Sequence, residues 1–222
     1  MKILVFDTET TGLPEKDASI YDQEKWPYII QLSYIYYDLL KNEATIRDSY
    51  VKINNSIVIP EASYNKHHLT MDILNEKGNN IIPLLREFNL FLESADIIVG
   101  HNLSFDKKLV MVECFRNKIN PKFVKFRGNN LIRKEEFCTM KKTTKFCNIK
   151  RINKNTLKEY NKTPSLLELY QILFPDKPIP NELHNSLVDI LVTFKCFMKF
   201  KYDLNICLVN EKINNLCVKY NI

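Results

Sequence analysis

MKILVFDTETTGL, Met1 to Leu13, is read first and the rest of the chain around it. Lys2 to Phe6 is a short apolar run, too short for a helix, and reads as a buried strand. It leads directly into Asp7-Thr8-Glu9. Side chains alternate across a strand, so Asp7 and Glu9 point the same way. Two carboxylates side by side at a strand end repel each other and are costly to desolvate. The pair makes sense beside cations, or else as an acidic strand end left in solvent. Thr10, Thr11 and Gly12 form a polar turn whose backbone N–H groups can meet a phosphate.

Length and composition bound the answer. A chain of 222 residues is one large domain, or a domain with an appendage. Its apolar and charged fractions are those of an ordinary globule, and no apolar run approaches the ~20 residues of a membrane span. Asp7 breaks the first apolar stretch too early for a signal peptide. The six cysteines contain no C-x-x-C pair and are expected as reduced thiols in an intracellular protein, cytoplasmic, nuclear or viral. A zinc site from Cys138, Cys147 and a histidine is poorly supported by their spacing. The net charge of +6 hides an asymmetry. Arg116 to Lys162 holds fifteen Lys or Arg against three Glu, a local +12, which leaves −6 for the remainder. A basic block beside an acidic site suits a polyanionic substrate. A Lys-rich solvated surface has the same composition.

Along the chain, Tyr28 to Leu39 and Thr45 to Ile53 read as two more strands, forming an antiparallel meander with the first. A helical stretch opens at Pro60. Thr70 reads as an N-cap, and Gly78 as the end of a short helix. Asn80 or Ile81 to Glu93 carries one apolar stripe of an amphipathic helix. Ala95 to Val99 reads as a buried strand ending at Gly100-His101-Asn102, and a helix follows to Arg116. Asp106 falls in its first turn, beyond a strand's carboxyl end, where open α/β sheets gather ligands. The helix dipole alone also favours an acid there. In the basic block, Glu136 to Met140 reads as a short strand, and Phe123, Phe126, Phe137 and Phe146 are core residues or base-stacking ones. Leu166 to Leu173 is a helix. Asn185 to Phe200 is a largely apolar helix with Asp189 as its only acid, and a carboxylate in such a helix requires a partner. His184 lies about 140° from Asp189 on a regular helix, so the two converge only if His184 precedes the helix proper. Asp203 to Tyr220 reads as one amphipathic helix.

These signals form an ordered set: Asp7-Thr8-Glu9 on the first strand, Gly100-His101-Asn102 with Asp106 after a later one, and His184 with Asp189 entering a late helix. The set resembles the three motifs of the DEDDh exonucleases, the DnaQ-like branch of the ribonuclease H-like fold. The likeness is close at FDTETTGLP, IVGHNLSFD and HNSLVD. It extends to WPYIIQLSYIYYD and PSLLELYQILFP and covers Met1 to about Lys199. It implies an α/β fold with a mixed five-stranded sheet flanked by helices. The exonuclease domain would be residues 1–200, with the basic segment 116–162 inside it and a helix at 201–222 packed on it.

The resemblance also implies a chemistry. Asp7, Glu9, Asp106 and Asp189 would hold two ions, Mg²⁺ or Mn²⁺, the hard cations that all-oxygen ligands suit. His184 would take the proton of the attacking water. Thr10, Gly12 and Leu13 would line the pocket for the terminal nucleotide, with Asn102 and Phe105 beside them. His67-His68 would border the groove or have a structural role, and Trp26, by its place next to Pro27, is simply a packing residue. The implied activity is removal of nucleoside monophosphates from single-stranded DNA 3′ ends, in proofreading, repair or turnover, either free-standing or beside a polymerase, with no membrane involved. An exoribonuclease of the same fold, a silent nucleic-acid-binding module and an unrelated phosphohydrolase of small nucleotides are the rivals.

Overall fold

The computed structural model describes residues 1–127 and 130–222, and for 125–127 and 130–133 the backbone alone. Phe126, one of the four aromatics of the basic block, thus lies outside the described side chains. The elements in order are β1 (Lys2–Thr10), β2 (Ile29–Asp38), β3 (Glu43–Tyr50), α1 (Glu61–His67), α2 (Met71–Lys77), α3 (Ile81–Ser94), β4 (Ile97–Gly100) and α4 (Leu103–Arg116). They continue with β5 (Val124–Arg127), β6 (Asn130–Arg133), β7 (Glu135–Cys138), α5 (Thr139–Lys142), α6 (Thr144–Cys147), β8 (Lys150–Ile152) and β9 (Glu159–Asn161). The last are α7 (Leu166–Leu173), α8 (Ser186–Tyr202), α9 (Ile206–Val209) and α10 (Glu211–Lys219).

The main sheet has the order β3-β2-β1-β4-β7. The β1–β2 and β2–β3 pairs are antiparallel, whereas β4 and β7 run parallel to β1. This is the expected mixed sheet of five strands flanked by helices. Alternation along β1 divides the core in two. Ile3 and Val5 face α7, α8 and the C-terminal helices. Leu4 and Phe6 face α3 and α4, with Phe6 against Phe88 at 5.1 Å in an edge-to-face contact. Helix α8 explains its own composition: it is buried between the sheet and its neighbours, so nearly every face is apolar. Trp26 packs in the second core and donates its Nε1–H to the Ser19 carbonyl.

β1 runs from Lys2 to Thr10, with Asp7-Thr8-Glu9 on the strand as expected, its pairing with β2 continuing through Glu9 opposite Gln31. Asp7, Thr8 and Glu9 are therefore inside a paired strand. Other boundaries differ from those the sequence suggests. The third strand stops at Tyr50 rather than Ile53, since Lys52 donates instead to the Asn79 carbonyl. That crossing is what requires Gly78: a Cβ there would fall 2.7 Å from Lys52 N and nearer still to the Leu74 carbonyl. The expected single helix from Asp203 to Tyr220 is two. Asn210 breaks it, capping α10 through Ile213 N–H while donating its side-chain amide to the Asn42 carbonyl. Ile206, Ile213 and Cys217 still join the α8 core.

The basic block holds more structure than one short strand. Two small antiparallel ribbons, β5–β6 and β8–β9, flank β7, α5 and α6. Phe123 and Phe137 are buried, whereas Phe146 is half exposed against Phe200. All six cysteines are free thiols. Among the described residues, no helix is long and apolar enough to cross a membrane.

Candidate active site

The strand alternation that divides the core also aims the acids. Asp7 and Glu9 lie on the α8 face of β1, in phase with Ile3 and Val5. Their cross-strand partners on β2 are Ser33 and Gln31, which share that face. Both grip the start of α8. Ser33 Oγ meets Ser186 Oγ at 2.5 Å, Gln31 Nε2 donates to Asn185 Oδ1, and Gln31 Oε1 accepts Ser186 N–H. Asp48 on β3 accepts from both Gln31 and Ser33 at 2.8 and 2.7 Å. This network, buried at Ser33 and Ser186 and open to solvent at Asp48, fixes the helix end beside the acids and places Asp189, in its first turn, over them. Oxygen atoms of Asp7, Glu9 and Asp189 lie within 4.8 Å of one another. A register shift between Glu9 and Thr10 ends the regular pairing at that point, as bulges beside sites commonly do.

Asp106 arrives from the other face of the sheet. It sits in the first turn of α4, which packs on the Leu4–Phe6 side. Thr8, the middle residue of D-T-E, points to that side and holds it: Thr8 N–H and Oγ1–H donate to Asp106 Oδ1 at 3.1 and 2.7 Å. Asp106 is outside the three-carboxylate cluster but lines the same pocket and bears electrostatically on Asp7.

Four carboxyls this close and this buried resist ionisation. Burial, then Asp106, Asp189 and Glu9, push Asp7 well above the usual carboxylate range. Burial, then Asp189 and Asp106, push Glu9 up to about 9, with Lys66 opposing them. Burial raises Asp106 to about 7 against the bonds from Thr8, and raises Asp189 to about 7 against the bond from His184 N–H. An uncompensated cluster of this kind is what divalent cations relieve. The donors are all hard oxygens, as Mg²⁺-like ions demand. Among the described residues, Asp7, Glu9 and Asp189 are the only group of three potential ligands so arranged, which leaves nothing of the Cys138–Cys147 zinc alternative.

His184 precedes the helix proper, in a loop two residues before α8, with a left-handed φ of 71°. Its main-chain N–H reaches Asp189 Oδ1 at 3.3 Å, and its imidazole lines the acidic pocket. Burial, then Lys66 and His68, hold its pKa below the ordinary 6.5. The ring is therefore neutral at pH 7 and able to accept a proton.

The remaining predicted residues share the pocket, which has about 210 Å³ of free space and opens to solvent. Thr10 Oγ1–H closes the turn onto the Gly12 carbonyl. A Cβ at Gly12 would approach no protein atom closer than Ser63 Oγ at 3.9 Å, so its bareness leaves room rather than fitting a crowded backbone. Of the two glycines in the acid motifs, Gly100 is the more crowded, against Leu103. Leu13 stands 77% exposed at the rim, an unfavourable place for leucine unless something covers it. Asn102 and Phe105 line the same pocket. His67 supports the local backbone, accepting Leu69 N–H at Nδ1, yet also lines the pocket.

Sequence reasoning missed Thr8, Gln31, Ser33 and Lys66. Thr8 carries a prediction. Thr8→Val keeps the shape and the backbone bond but deletes the hydroxyl bond to Asp106. Loss of such an outer contact is expected to weaken divalent-metal affinity ~10–100-fold. Titration calorimetry with Mn²⁺ measures it, and an unchanged affinity would show that Asp106 needs no such support.

Comparison with known proteins places the fold. E. coli Exonuclease I in complex with a dT13 oligonucleotide superposes with a TM-score of 0.63 at 13% identity, over 91% of this chain and 42% of that one. A zinc-ion-bound E. coli ExoI–ssDNA complex gives 0.63 at 14% identity, over 98% and 43%. Exonuclease I from Methylocaldum szegediense gives 0.61 at 12% identity, over 99% and 45%. The chain thus spans less than half the length of the Exonuclease I chains it resembles. No curated protein sequence matches it. The RNase T family model, described as exonuclease, matches residues 4–197, a span that begins on β1 and ends within α8 and so takes in every acid of the pocket. On that match the chain belongs to the RNase T exonuclease family.

Proposed function

We propose that the chain is a metal-dependent 3′→5′ exonuclease that removes nucleoside monophosphates from single-stranded DNA ends. The observation that carries this is the convergence of Asp7, Glu9, Asp106 and Asp189 with the neutral imidazole of His184 in one open pocket. The four carboxylates would hold two divalent ions, Mg²⁺ or Mn²⁺, which when bound supply charge relief at the phosphate and acidify the attacking water.

The chain's own groups do the rest. His184 Nδ1 or Nε2 takes a proton from that water as it attacks phosphorus, and the 3′ oxygen of the upstream sugar departs. The products are a 5′ monophosphate and a strand shorter by one nucleotide. Leu13 and Phe105 offer apolar surface to the terminal base, while Thr10, Gly12 and Asn102 offer polar groups to its sugar. Lys66, beside Glu9 and His184 in the pocket, offsets phosphate charge. The DNA oligonucleotides in the related Exonuclease I complexes support DNA as substrate. The fitting roles are proofreading, repair or turnover of ends, alone or beside a polymerase.

One gel tests the proposal. Oligonucleotides labelled at the 5′ end, as DNA and as RNA, with free or blocked 3′ hydroxyls, are incubated with Mg²⁺, Mn²⁺ or chelator. A ladder descending by single nucleotides is expected for unblocked DNA and is absent in chelator. Intact strands in every lane would overturn the proposal, and RNA cleaved in preference to DNA would redirect it.

A further inference from the structure

The segment Thr139 to Pro164 leaves the domain and returns at the same place. At its start, Thr139 Oγ1 meets His101 Nδ1 at 2.9 Å and lies 3.3 Å from the Gly100 carbonyl. At its end, the Pro164 carbonyl faces the same imidazole. His101 lines the acidic pocket. The base of the excursion is firm: Thr139 and Thr143 are fully buried, and Phe146 packs on Phe200 at 5.3 Å. Beyond the base, every residue from Arg151 to Tyr160 is exposed, along the β8–β9 ribbon and its connecting loop.

The ribbon has no core of its own, and two strands alone are marginally stable in water. Its composition is one-sided, with eight Lys or Arg from Thr139 to Pro164 against Glu159 alone. Lys150 pairs with Glu159 and Lys162 with Glu168. The other six cations make no ion pair among the described residues. Exposed Ile152, Leu157 and Tyr160 stand among them, 66%, 80% and 48% accessible. Cations interleaved with apolar and aromatic surface match the phosphates and base faces of a single strand. Both ends of the segment are tied to His101, a residue that lines the acidic pocket.

We propose that residues 139–164 form a guide for single-stranded nucleic acid, holding the strand upstream of the end that enters the acidic pocket. The proposal rests on the exonuclease reading, and its test separates the two. The triple variant Arg151→Gln, Lys154→Gln, Lys158→Gln changes only exposed side chains that lack ion pairs. Binding of a fluorescent oligothymidylate of about twenty nucleotides, longer than one binding site, is followed by anisotropy in chelator across a salt series. Each lost contact to a single strand lowers the slope of log affinity against log salt by ~0.7, so the variant's slope is expected to fall by about 2. Hydrolysis of thymidine 5′-(p-nitrophenyl phosphate), too short to reach the ribbon, is expected to be unchanged. An unchanged slope and affinity would overturn the guide and leave the ribbon to a partner of another kind. A lowered slope with no hydrolysis by the unmodified chain would keep the guide and remove the exonuclease.

Discussion

Asp7→Asn is expected to abolish hydrolysis and at the same time stabilise the metal-free protein. The two effects share one cause. Asp7 stands among Asp106, Asp189 and Glu9, and its carboxyl is pushed well above the usual range by burial and by those three neighbours. Amide for carboxylate removes a metal ligand, and the several kcal/mol of charge stabilisation lost with it corresponds to a fall in rate of about 10³-fold or more. It also removes the repulsion. Relief of one pKa unit is worth about 1.4 kcal/mol, which raises Tm by roughly 3–5 °C in a chain of this size.

The sign of the pH dependence follows from the same carboxyls. Their pKa values are higher folded than unfolded, so the unfolded chain releases its protons first as pH rises. In chelator, the stability they contribute is full below about pH 4. It falls as pH rises towards about 7 for Asp106 and Asp189, and on towards about 9 for Glu9. Scanning calorimetry at pH 5 and pH 8 separates the cases. Asp7→Asn should raise Tm more at pH 8 than at pH 5, and added Mn²⁺ should stabilise the unmodified protein more at pH 8. A variant less stable than the parent at pH 8, or one active within tenfold, would mean that the acids are not a strained ligand set.

The acids were legible because each sits where a simple period shows it. Asp7 and Glu9 share a strand face by the two-residue repeat, and Asp189 stands alone in an apolar helix. What holds them was not legible. Gln31 and Ser33 read as ordinary strand residues until β2 pairs in a register that sets them opposite Glu9 and Asp7. Thr8 looked like the spacer of D-x-E, although alternation already sends it to the opposite face, where α4 delivers Asp106. Lys66 is one lysine among many, and only the docking of α1 against the site distinguishes it. The ribbon escaped because its three-residue strands, Lys-Arg-Ile and Glu-Tyr-Asn, are almost wholly exposed and too short to carry an apolar period. The break at Asn210 depends on Asn42, 168 residues away. Local patterns thus reveal the groups that do chemistry, whereas long-range pairing selects the groups that position them.

His184→Ala is expected to cost far more in turnover than in binding. The contact from this residue to Asp189 is made by its main-chain N–H, which any residue supplies, so the imidazole is not needed to anchor the loop there. Loss of a general base typically costs 10²- to 10⁴-fold in rate, and kcat should fall within about that range. Oligonucleotide affinity, measured in chelator, should stay within about threefold of the parent's, because the acids, Lys66 and the rim are untouched. The backbone offers one complication. A φ of 71° favours glycine or asparagine over alanine, so His184→Ala strains the loop as well as removing the base. His184→Asn keeps the loop conformation, lacks a titratable nitrogen, and should be equally inactive. Were Asn to restore activity, His184 would be a loop former rather than a base. The pH profile is the second readout. A base must be neutral, so the parent's kcat should fall on the acid side with a midpoint below 6.5, because burial, Lys66 and His68 all disfavour the imidazolium. In both variants that acid limb should vanish, and a limb that persists unchanged in His184→Asn would assign proton acceptance to another group in the pocket.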